Sequence, residues 1–593
     1  MKPAAPVTSA LSAMRRGQAL HEGGTGRQVL LARGSLRYRG SLMRRLGPPL
    51  LLSFVFSLLV AAPARAQVVE PWADDDGIAG PTRHEFGDYG LQVGAEYRAN
   101  WLYVNPVDLN GVKHRRASWV EHRLRLDATV DYDEKVRLVM SFDGLDGTLW
   151  GDNGTFGQSP SPNSGTRVAA TNPNNAKPGV GYVGGDELDP DSYGYVLVPS
   201  DSFKLRRAYG EVVTPVGLLR IGRQPTTEGM SILVADGDGR TNRFGYSNAG
   251  DTTDRVLFVT KPLEGFKDES ERDTSRDRGL FTGAFYDRGA SKDIRLFGDD
   301  LHGAGMVVRW LDPDPIKRTH LEFQGTYAHR WERFYDTNVN IVNLKAVGRL
   351  DRLTAGLEGV GIFGRTREVS EALSLINNDP IVRQKVEQFG ARAVLRWDEP
   401  TWTAYLEGDL ATGDRNPNPG TALTQLVFAE DNNVGLLMFE RILHFESARS
   451  SAAGVVLLER IGADTFPAER VDTEGSFTNA VAVFPQFDLR PHKNVLLRSG
   501  LLLAWAPSGT VDPTESLKAR DGASIQDDLV NFNGGKPGNF YGAELDGRFQ
   551  WKYLDHFLFD LEGAILFPGD AFHDENGQAV RSVLIQGRTT FVF

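Results

Sequence analysis

Apolar and polar residues alternate with a period of two along much of the chain from Leu91 onward. The alternation is clearest in residues 120–130, where one face is mainly valine, leucine and alanine and the other is mainly charged. This period is typical of β-strands, because successive side chains point to opposite faces. The segment 204–214 fits either phase of the alternation. On this basis we predict eighteen strands, near 91–101, 120–130, 136–143, 204–214, 217–223, 255–260, 279–287, 303–311, 318–331, 339–350, 353–365, 388–398, 402–411, 477–490, 495–506, 540–553, 556–568 and 581–593.

The connections between these segments alternate in length. Long ones, such as 105–117 and 144–203, are followed by short ones, such as 132–135 and 215–216. Bacterial membrane barrels show this asymmetry between outer loops and periplasmic turns, whereas soluble sandwiches have no reason to sort their loops by length. The sequence therefore predicts an all-β protein, a transmembrane antiparallel β-barrel of about 18 strands (range 16–20), with long outer loops and short periplasmic turns.

The longest loop, 412–476, contains two apolar pieces within residues 433–461, VGLLMFERILHF and AGVVLLERI. Other long loops are rich in Gly, Asn, Asp and Pro; they bury too little apolar area to fold alone, so they lie over the barrel mouth or fold inward. We predict that the two apolar pieces form helices that enter the lumen as a constriction. The alternative is a further hairpin, which would give about twenty strands.

The first 66 residues have the features of an export signal. A basic pair at Arg44 and Arg45 precedes an apolar run over 50–62, and Ala64-Arg65-Ala66 fits a cleavage site between small residues. The apolar run is too short for a convincing transmembrane helix. We therefore predict a signal peptide that is cleaved before Gln67.

These features divide the chain into three parts. Residues 1–66 are the N-terminal extension plus the signal peptide, and either Met1 or Met43 fits as the translation start. Residues 67–90 are polar and without a pattern, which predicts a periplasmic N-terminal tail. Residues 91–593 form the barrel, with 412–476 as an inserted loop.

The last predicted strand, residues 581–593, carries Phe591 and Phe593 on its apolar face. It resembles the closing strand of bacterial outer-membrane barrels, in which a terminal phenylalanine and alternate aromatic residues form the assembly signal. The resemblance implies that Phe591 and Phe593 are that signal and that the barrel-assembly machinery is a partner.

Composition narrows the classes of function. The chain has 66 basic and 77 acidic residues, a net charge of −11. Residues 1–66 hold ten basic residues and one acidic residue, so the remainder has 56 basic and 76 acidic residues and a net charge of −20. An acidic exported chain is a poor nucleic-acid binder, so we expect no nucleic-acid partner. The chain has no cysteine and no H-E-x-x-H, G-x-S-x-G or phosphate-loop motif, and we predict no enzyme activity, cofactor or metal site.

The polar phase of the strands predicts a charged lumen. Opposite charges on neighbouring strands, such as Asp560 and Glu562 beside Arg548, brace the wall in one interpretation. In the other interpretation they form a pathway whose field selects the solute, with anions slightly favoured by Arg123, Arg125 and Arg137. The same phase places Glu96, Glu544, Asp546 and Arg588 inside. The predicted lumen and selectivity residues are Arg98, Glu121, Arg123, Arg125, Arg137, Arg309, Arg392, Arg396, Glu407, Asp409, Arg498, Arg548, Asp560 and Glu562.

Three short pieces resemble a known family. Residues 206–212, RRAYGEV, and 217–224, GLLRIGRQ, form a strand–turn–strand that ends in Gly-Arg-Gln before a long loop, and 407–414, EGDLATGD, is an acidic strand-to-loop segment. They resemble the alginate-export-type and related porin-like barrels. The resemblance implies an outer-membrane channel of about eighteen strands and does not identify its solute.

The sequence thus predicts a porin-like channel for passive passage of small polar or charged solutes, located in the outer membrane of a Gram-negative bacterium. The expected partners are outer-membrane lipid, the barrel-assembly machinery and the solute. Two alternatives stay open: a barrel enzyme acting at the outer-membrane surface, and a structural barrel plugged by its loops.

Overall fold

The structure is a computed structural model, and all the residues that it describes belong to one compact unit, Ala61–Phe593. The predicted signal peptide and much of the predicted tail lie outside these residues. The described residues are 82–107, 109, 117–151, 168–171, 194–197, 203–226, 228–237, 242–246, 250–273, 275–290, 301–314, 316–333, 335–377, 380–414, 420–430, 432–444, 447, 473, 475–509, 538–573 and 577–593.

All eighteen predicted strands are present, which confirms the fold class. Most are longer than predicted, by one to eight residues at one or both ends. The strands are β1 Thr82–Phe86, β2 Tyr89–Asn105, β3 Ala117–Tyr132, β4 Val136–Gly151, β5 Val168–Thr171, β6 Gly194–Leu197, β7 Phe203–Thr214, β8 Gly217–Pro225, β9 Thr252–Thr260, β10 Gly279–Ala290, β11 His302–Asp314, β12 Thr319–Glu332, β13 Thr337–Leu350, β14 Leu353–Thr366, β15 Gln384–Asp398, β16 Trp402–Ala411, β17 Ala480–His492, β18 Val495–Trp505, β19 Phe540–Tyr553, β20 Phe557–Pro568 and β21 Ser582–Val592.

The barrel closes because its first and last strands pair. Each strand from β2 to β21, leaving out β5 and β6, pairs antiparallel with the next barrel strand in the chain. The ring is completed by β2 and β21, with Glu96 opposite Val592 and Asn105 opposite Val583. Closure leaves no free edge in the wall, so every strand interior can satisfy its backbone hydrogen bonds without water.

The two ends of the barrel differ, as the connection lengths predicted. One end, here the turn end, has tight connections such as Asp133–Glu134, where both residues have φ near +50°, and Leu554–Asp555. Two consecutive positive φ values are those of a type I′ turn, whose twist suits a hairpin. The other end, here the loop end, carries the long connections, including 226–251 and 412–479. The chain enters β2 and leaves β21 at the turn end.

Short helices occur only in the connections among the described residues. A 3₁₀ pair, Pro262–Phe266 and Glu269–Glu271, lies at the turn end between β9 and β10. At the loop end are helix α1, Glu368–Asn377, a 3₁₀ turn, Asp570–Phe572, and a π-helix, Met438–Leu443. No helix in the described part of the chain is long and apolar enough to cross a membrane.

The outer face of the wall is apolar. Large exposed apolar side chains lie on the predicted apolar phase. Examples are Leu357 (58% exposed), Leu344 (61%) and Met306 (60%). Aromatic side chains pair near both ends, such as Phe363 with Phe389 and Trp402 with Phe487. An apolar exterior flanked by aromatic girdles is what a lipid-facing barrel requires.

Two expectations about local structure need correction. Residues 82–86, which the lack of a pattern placed in an irregular tail, form β1 and pair with the first residues of β2 through a tight turn at Gly87. Five residues are too few for alternation to be visible. The hairpin alternative for 433–461 is also wrong, because β16 pairs directly with β17 and leaves no place in the wall for two more strands.

A bulge explains why the segment 204–214 fitted both phases. The register between β4 and β7 shifts between Ser141 and Phe142, so that Arg207 lies opposite Ser141 while Leu205 lies opposite Phe142. The extra residue is Arg206, which is buried beside Asp143, with Nε 3.6 Å from Oδ2. The bulge therefore turns two consecutive arginines toward the inner face.

Candidate functional site

The inner face of β2, β3 and β4 carries charges in pairs. Arg125 donates from Nε and Nη2 to the two carboxylate oxygens of Asp143, at 2.7 and 2.9 Å. Glu96 accepts from Arg123 at 2.6 Å and from Arg98 at 2.8 Å. The bonds of Arg123 and Arg125 join neighbouring strands, and that of Arg98 lies within β2. The predicted positive strip is therefore balanced by carboxylates next to it.

The same construction recurs on β17 to β21, the strands that lead up to the closure with β2. Asp560 accepts from Nε of Arg548 and from Nη2 of Arg588, both at 2.9 Å. Asp488 accepts from Nε and Nη2 of Arg498 at 2.7 and 2.9 Å. Each carboxylate is fully buried, so each arginine compensates a charge that would otherwise be costly.

Most predicted lumen residues are buried inside the barrel, and a few are partly open. Arg392 bridges Asp409 at 2.7 Å and Glu407 at 3.0 Å. The three less buried side chains are Arg137, Arg309 and Arg396. The buried ones are Arg98, Glu121, Arg123, Arg125, Arg392, Glu407, Asp409, Arg498, Arg548, Asp560 and Glu562.

Inner loop A, the described residues of 226–251, leaves the wall between β8 and β9 and crosses the lumen. Arg243 on this loop donates to Gln486 at 2.7 Å and to Asp488 at 2.7 Å, both on β17. The backbone carbonyl of Arg243 accepts from Arg548 at 3.0 Å and from Arg498. One loop residue thus ties together three strands on the far side of the barrel.

The two ends of this crossing are held by carboxylates. Glu358 on β14 accepts from the backbone N–H of Met230, and Glu562 on β20 accepts from the N–H of Gly245 at 3.1 Å. Arg588 donates to the carbonyl of Gly245 at 2.9 Å. The wall charges therefore hold the loop as well as one another.

Inner loop B, the described residues of 420–447, comes from the connection between β16 and β17. The carboxylate of Glu544 on β19 accepts the backbone N–H groups of Leu436, Leu437 and Met438 at 2.7, 2.8 and 2.6 Å. Those N–H groups lie at the start of the π-helix, where no intrahelical acceptor exists for them. The described part of the first predicted apolar piece, 434–444, is thus inside the barrel, with Met438–Leu443 in a helix. The second piece, 453–461, lies outside the described residues.

The two loops also bind each other. Asn432 donates from Nδ2 to the carbonyl of Ser231 at 2.6 Å and accepts at Oδ1 from Arg392 at 2.6 Å. Asn433 donates from its backbone N–H to Asn242 at 2.9 Å. Loops A and B therefore form one hydrogen-bonded barrier across the lumen, anchored to wall charges on several sides.

Toward the loop end the barrier has an apolar core. Leu437, Met438 and Ile442 of loop B are completely buried against inward-facing wall residues such as Leu102 and Leu502. At about 25 cal/mol per Å² of apolar area, burying several such side chains gives loop B a substantial part of its stability. The part of the lumen toward the loop end is therefore filled by apolar side chains as well as lined by polar groups.

At the turn end, one buried carboxylate lies among three partly exposed arginines. Glu211 on β7 contacts three arginines: Arg220 at 2.7 Å, Arg276 at 3.1 Å and Arg137 at 3.7 Å. Arg276 lies in the connection 261–278, which joins β9 to β10 at the turn end. The side chains of Arg220, Arg276 and Arg137 are 27%, 49% and 28% exposed, whereas that of Glu211 is 4% exposed. We name these four residues the turn-end arginine cluster, in which three positive charges share one negative charge.

Glu228 on loop A is a half-buried acid. Among the described residues, its Oε1 has no hydrogen-bond partner. Burial raises the pKa of Glu228 above the ordinary value, although Arg255 and Arg330 act in the other direction. Packing of loop A therefore favours the protonated acid more than exposure to solvent does.

Several functional residues were not predicted from the sequence. Asp143 and Asp488 alternate in phase with predicted lumen residues, so parity alone was a usable signal for both. Arg243 and Glu228 lie in a loop without periodicity, where no sequence signal marks an inward path. In the described part of the chain, no group of three or more His, Cys, Asp or Glu residues is placed to hold a metal ion.

The chain is similar to several solved structures. No family model and no curated protein sequence matched the chain, so the resemblance to the alginate-export type is not confirmed. Similar solved structures include Pseudomonas aeruginosa OccK9 (OpdG), with 10% identity, a TM-score of 0.44, and coverage of 85% of this chain and 98% of that one. The outer membrane protein OpdK of the same organism has 10% identity, a TM-score of 0.40, and coverage of 84% and 99%. OccK2 (OpdF) in complex with glucuronate has 8% identity, a TM-score of 0.40, and coverage of 85% and 96%. Similarity at this level carries no argument about the function of this chain.

Proposed function

We propose that this chain is a passive, porin-like channel for small polar or charged solutes in the outer membrane of a Gram-negative bacterium. The observation that carries the proposal is a closed barrel of eighteen strands with an apolar outer face and charged pairs on its inner face. Such a wall separates a polar interior from lipid and crosses a membrane without exposed backbone groups. The short motifs at 206–212 and 217–224, which resemble the alginate-export type and related barrels, support the same assignment.

We further propose that anions are favoured over cations. The support is the turn-end arginine cluster, where three positive charges share one carboxylate and the arginine side chains are partly exposed. Charges inside a narrow, partly desolvated passage act more strongly than charges in bulk water. The acidic loops have less influence, because exposed charges are screened within about 8 Å at physiological salt.

The test is the reversal potential of the purified protein in a planar bilayer under a KCl gradient. The double variant R137Q/R276Q leaves Arg220 and Glu211 as a neutral pair, so the reversal potential should shift toward that of a cation-preferring pore. The matched control is R223Q/R318Q, which removes the same charge from arginines outside the lumen that pair with Asp254 and Asp351. An equal shift in both variants, or in neither, would refute the role of the cluster.

One alternative has a specific observation in its favour. The apolar packing of loop B against Leu102 and Leu502 fits a structural barrel that is plugged by its loops. A plugged barrel predicts no conductance step at any salt concentration, for the wild type and for R137Q/R276Q alike. A step in the wild type would therefore exclude it.

A further inference from the structure

A row of donors crosses three strands on the outer face at the loop end. Asn338 on β13 lies opposite Arg365 on β14, and Arg365 lies opposite Lys385 on β15. All three residues are exposed and share the outward phase with Leu344 and Leu357. Directly opposed residues have Cβ atoms only about 5 Å apart, so the side chains can converge on one group.

The two cations in this row have no carboxylate partner within the described residues. Arg365 and Lys385 make no side-chain hydrogen bond or ion pair there, although Glu387 is only two residues from Lys385 on the same face. Like charges directly opposite each other on neighbouring strands destabilise a sheet. The arrangement is therefore unfavourable for the protein alone and favourable once an anion lies between the two side chains.

Two other exposed arginines near the loop end show the contrast. Arg223 on β8 binds Asp254 through two hydrogen bonds of 2.9 and 3.0 Å. Arg383, two residues from Lys385, lies 3.0 Å from Asp336. These two arginines are each paired with an acid, whereas Arg365 and Lys385 are not.

The row lies at the border of the apolar exterior. On β14 the outward residues from Leu353 to Phe363 are apolar or glycine, and Arg365 is the next outward position. Ten residues of a tilted strand span roughly 25 Å, which is the height of the lipid-facing band of a barrel. Phe363 and Phe389, with ring centroids 5.1 Å apart, mark the aromatic girdle just inside the row.

We propose that Asn338, Arg365 and Lys385 form a binding site for the phosphate group of an anionic lipid in the outer leaflet. Arginine presents a planar fork of N–H donors to two phosphate oxygens, lysine adds a compact positive charge, and the asparagine amide adds a further donor. Phe363 and Phe389 lie where the apolar part of the same lipid would be. The proposal rests on the outer-membrane location given above and is independent of conduction through the lumen.

The test uses the folded full-length barrel in a neutral maltoside detergent, with lipid binding followed by native mass spectrometry. Diphosphorylated lipid A is the probe, and a neutral glycolipid and inorganic phosphate are the comparison ligands. The site variant is R365Q/K385Q. The matched control is R223Q/R318Q, which loses the same charge from arginines already paired with acids. Heat-modifiable migration shows that each variant is folded.

Wild type and R223Q/R318Q should bind lipid A with similar affinity, and R365Q/K385Q should bind it at least tenfold more weakly. The neutral glycolipid should bind no more than weakly to all three. Equal lipid A binding by R365Q/K385Q and wild type overturns the proposal, as does equal binding of the neutral glycolipid. Competition by inorganic phosphate at the concentration of lipid A would assign the row to the free ion and also overturns it. Bilayer conductance of R365Q/K385Q should match that of the wild type. Absence of conductance in both proteins would therefore contradict the proposed channel function and leave the lipid site unaffected.

Discussion

Ala95 and Phe593 exchange two backbone hydrogen bonds, each 2.8 Å long, and so join the first barrel strand to the end of the last one. From Val93 toward the start of β2, the same edge of β2 pairs with β1, with Thr82 opposite Val93. The edge of β2 is thus occupied first by β1 and then by β21. Closure therefore depends on the backbone of Phe593, which is part of the hydrogen-bonded ladder, as well as on its aromatic ring.

Deleting Phe593 should therefore impair closure and insertion. The deletion removes both hydrogen bonds to Ala95 and the ring that lies against His556, with centroids 6.3 Å apart. We expect a large decrease in the heat-modifiable, membrane-inserted fraction in cells. The control F567L changes an outward aromatic residue on β20 and should insert normally. Normal insertion of the deletion variant would refute this role for Phe593.

Glu544 should control how firmly loop B blocks the lumen. The variant E544Q loses the negative charge that binds three N–H groups at the start of the π-helix, and charge-assisted bonds of this kind are the stronger ones. We expect a larger or noisier single-channel conductance, and removal of residues 433–461 should enlarge it further without unfolding the barrel. The control E399Q changes a carboxylate in a turn-end connection. Conductance equal to the wild type in both lumen variants would place the barrier elsewhere.

Two buried aspartates should respond in opposite ways to the same substitution. Asp560 binds two arginines, so D560N leaves Arg548 and Arg588 undercompensated and should lower the free energy of unfolding by about 3–5 kcal/mol. Among the described residues, no donor reaches either oxygen of Asp546, and Glu544 lies two residues away on the same face. D546N should therefore be neutral or stabilising by about 1 kcal/mol. Urea unfolding in detergent measures both, and a large loss in D546N would contradict this account.

Loop A should become less stable as the pH rises. Burial raises the pKa of Glu228 above its ordinary value of 4.5, so the packed loop favours the protonated acid. The stabilisation is complete below pH 4.5 and is lost as the pH rises through the higher pKa of the packed state. We expect more frequent conductance fluctuations above that pKa, and E228Q should show few at any pH. Fluctuations with the same pH dependence in E228Q would assign them to another group.

Arg123 and Arg125 give a test of the sequence-based selectivity hypothesis. Both are paired, so the variant R123Q/R125Q exposes the charges of Glu96 and Asp143 in addition to removing two positive charges. The reversal potential in a salt gradient should shift toward cation preference, together with a loss of stability. A loss of stability without any shift would mean that these arginines only brace the wall.

Sequence alternation determined the strands, their number and the orientation of their faces. Successive residues of a wall strand face lipid and the polar interior in turn, and each must suit the environment that it faces. Every wall segment therefore shows a period of two. Connection length similarly separated the loop end from the turn end. Phe591 and Phe593 were identifiable because a strand that ends on its apolar phase leaves a clear pattern.

Tertiary structure alone decided which charges meet and what fills the lumen. Arg125 reaches Asp143 because of the register between β3 and β4, which single-strand periodicity does not specify. The bulge that turns Arg206 inward appeared in the sequence only as an ambiguous phase. Arg243 and Glu228 lie in a loop whose path is set by bonds to distant strands, and such contacts leave no local pattern. The wall was therefore predictable from the sequence, because each of its residues faces either lipid or the polar interior. The barrier across the lumen was not predictable, because the path of its loops depends on particular long-range contacts.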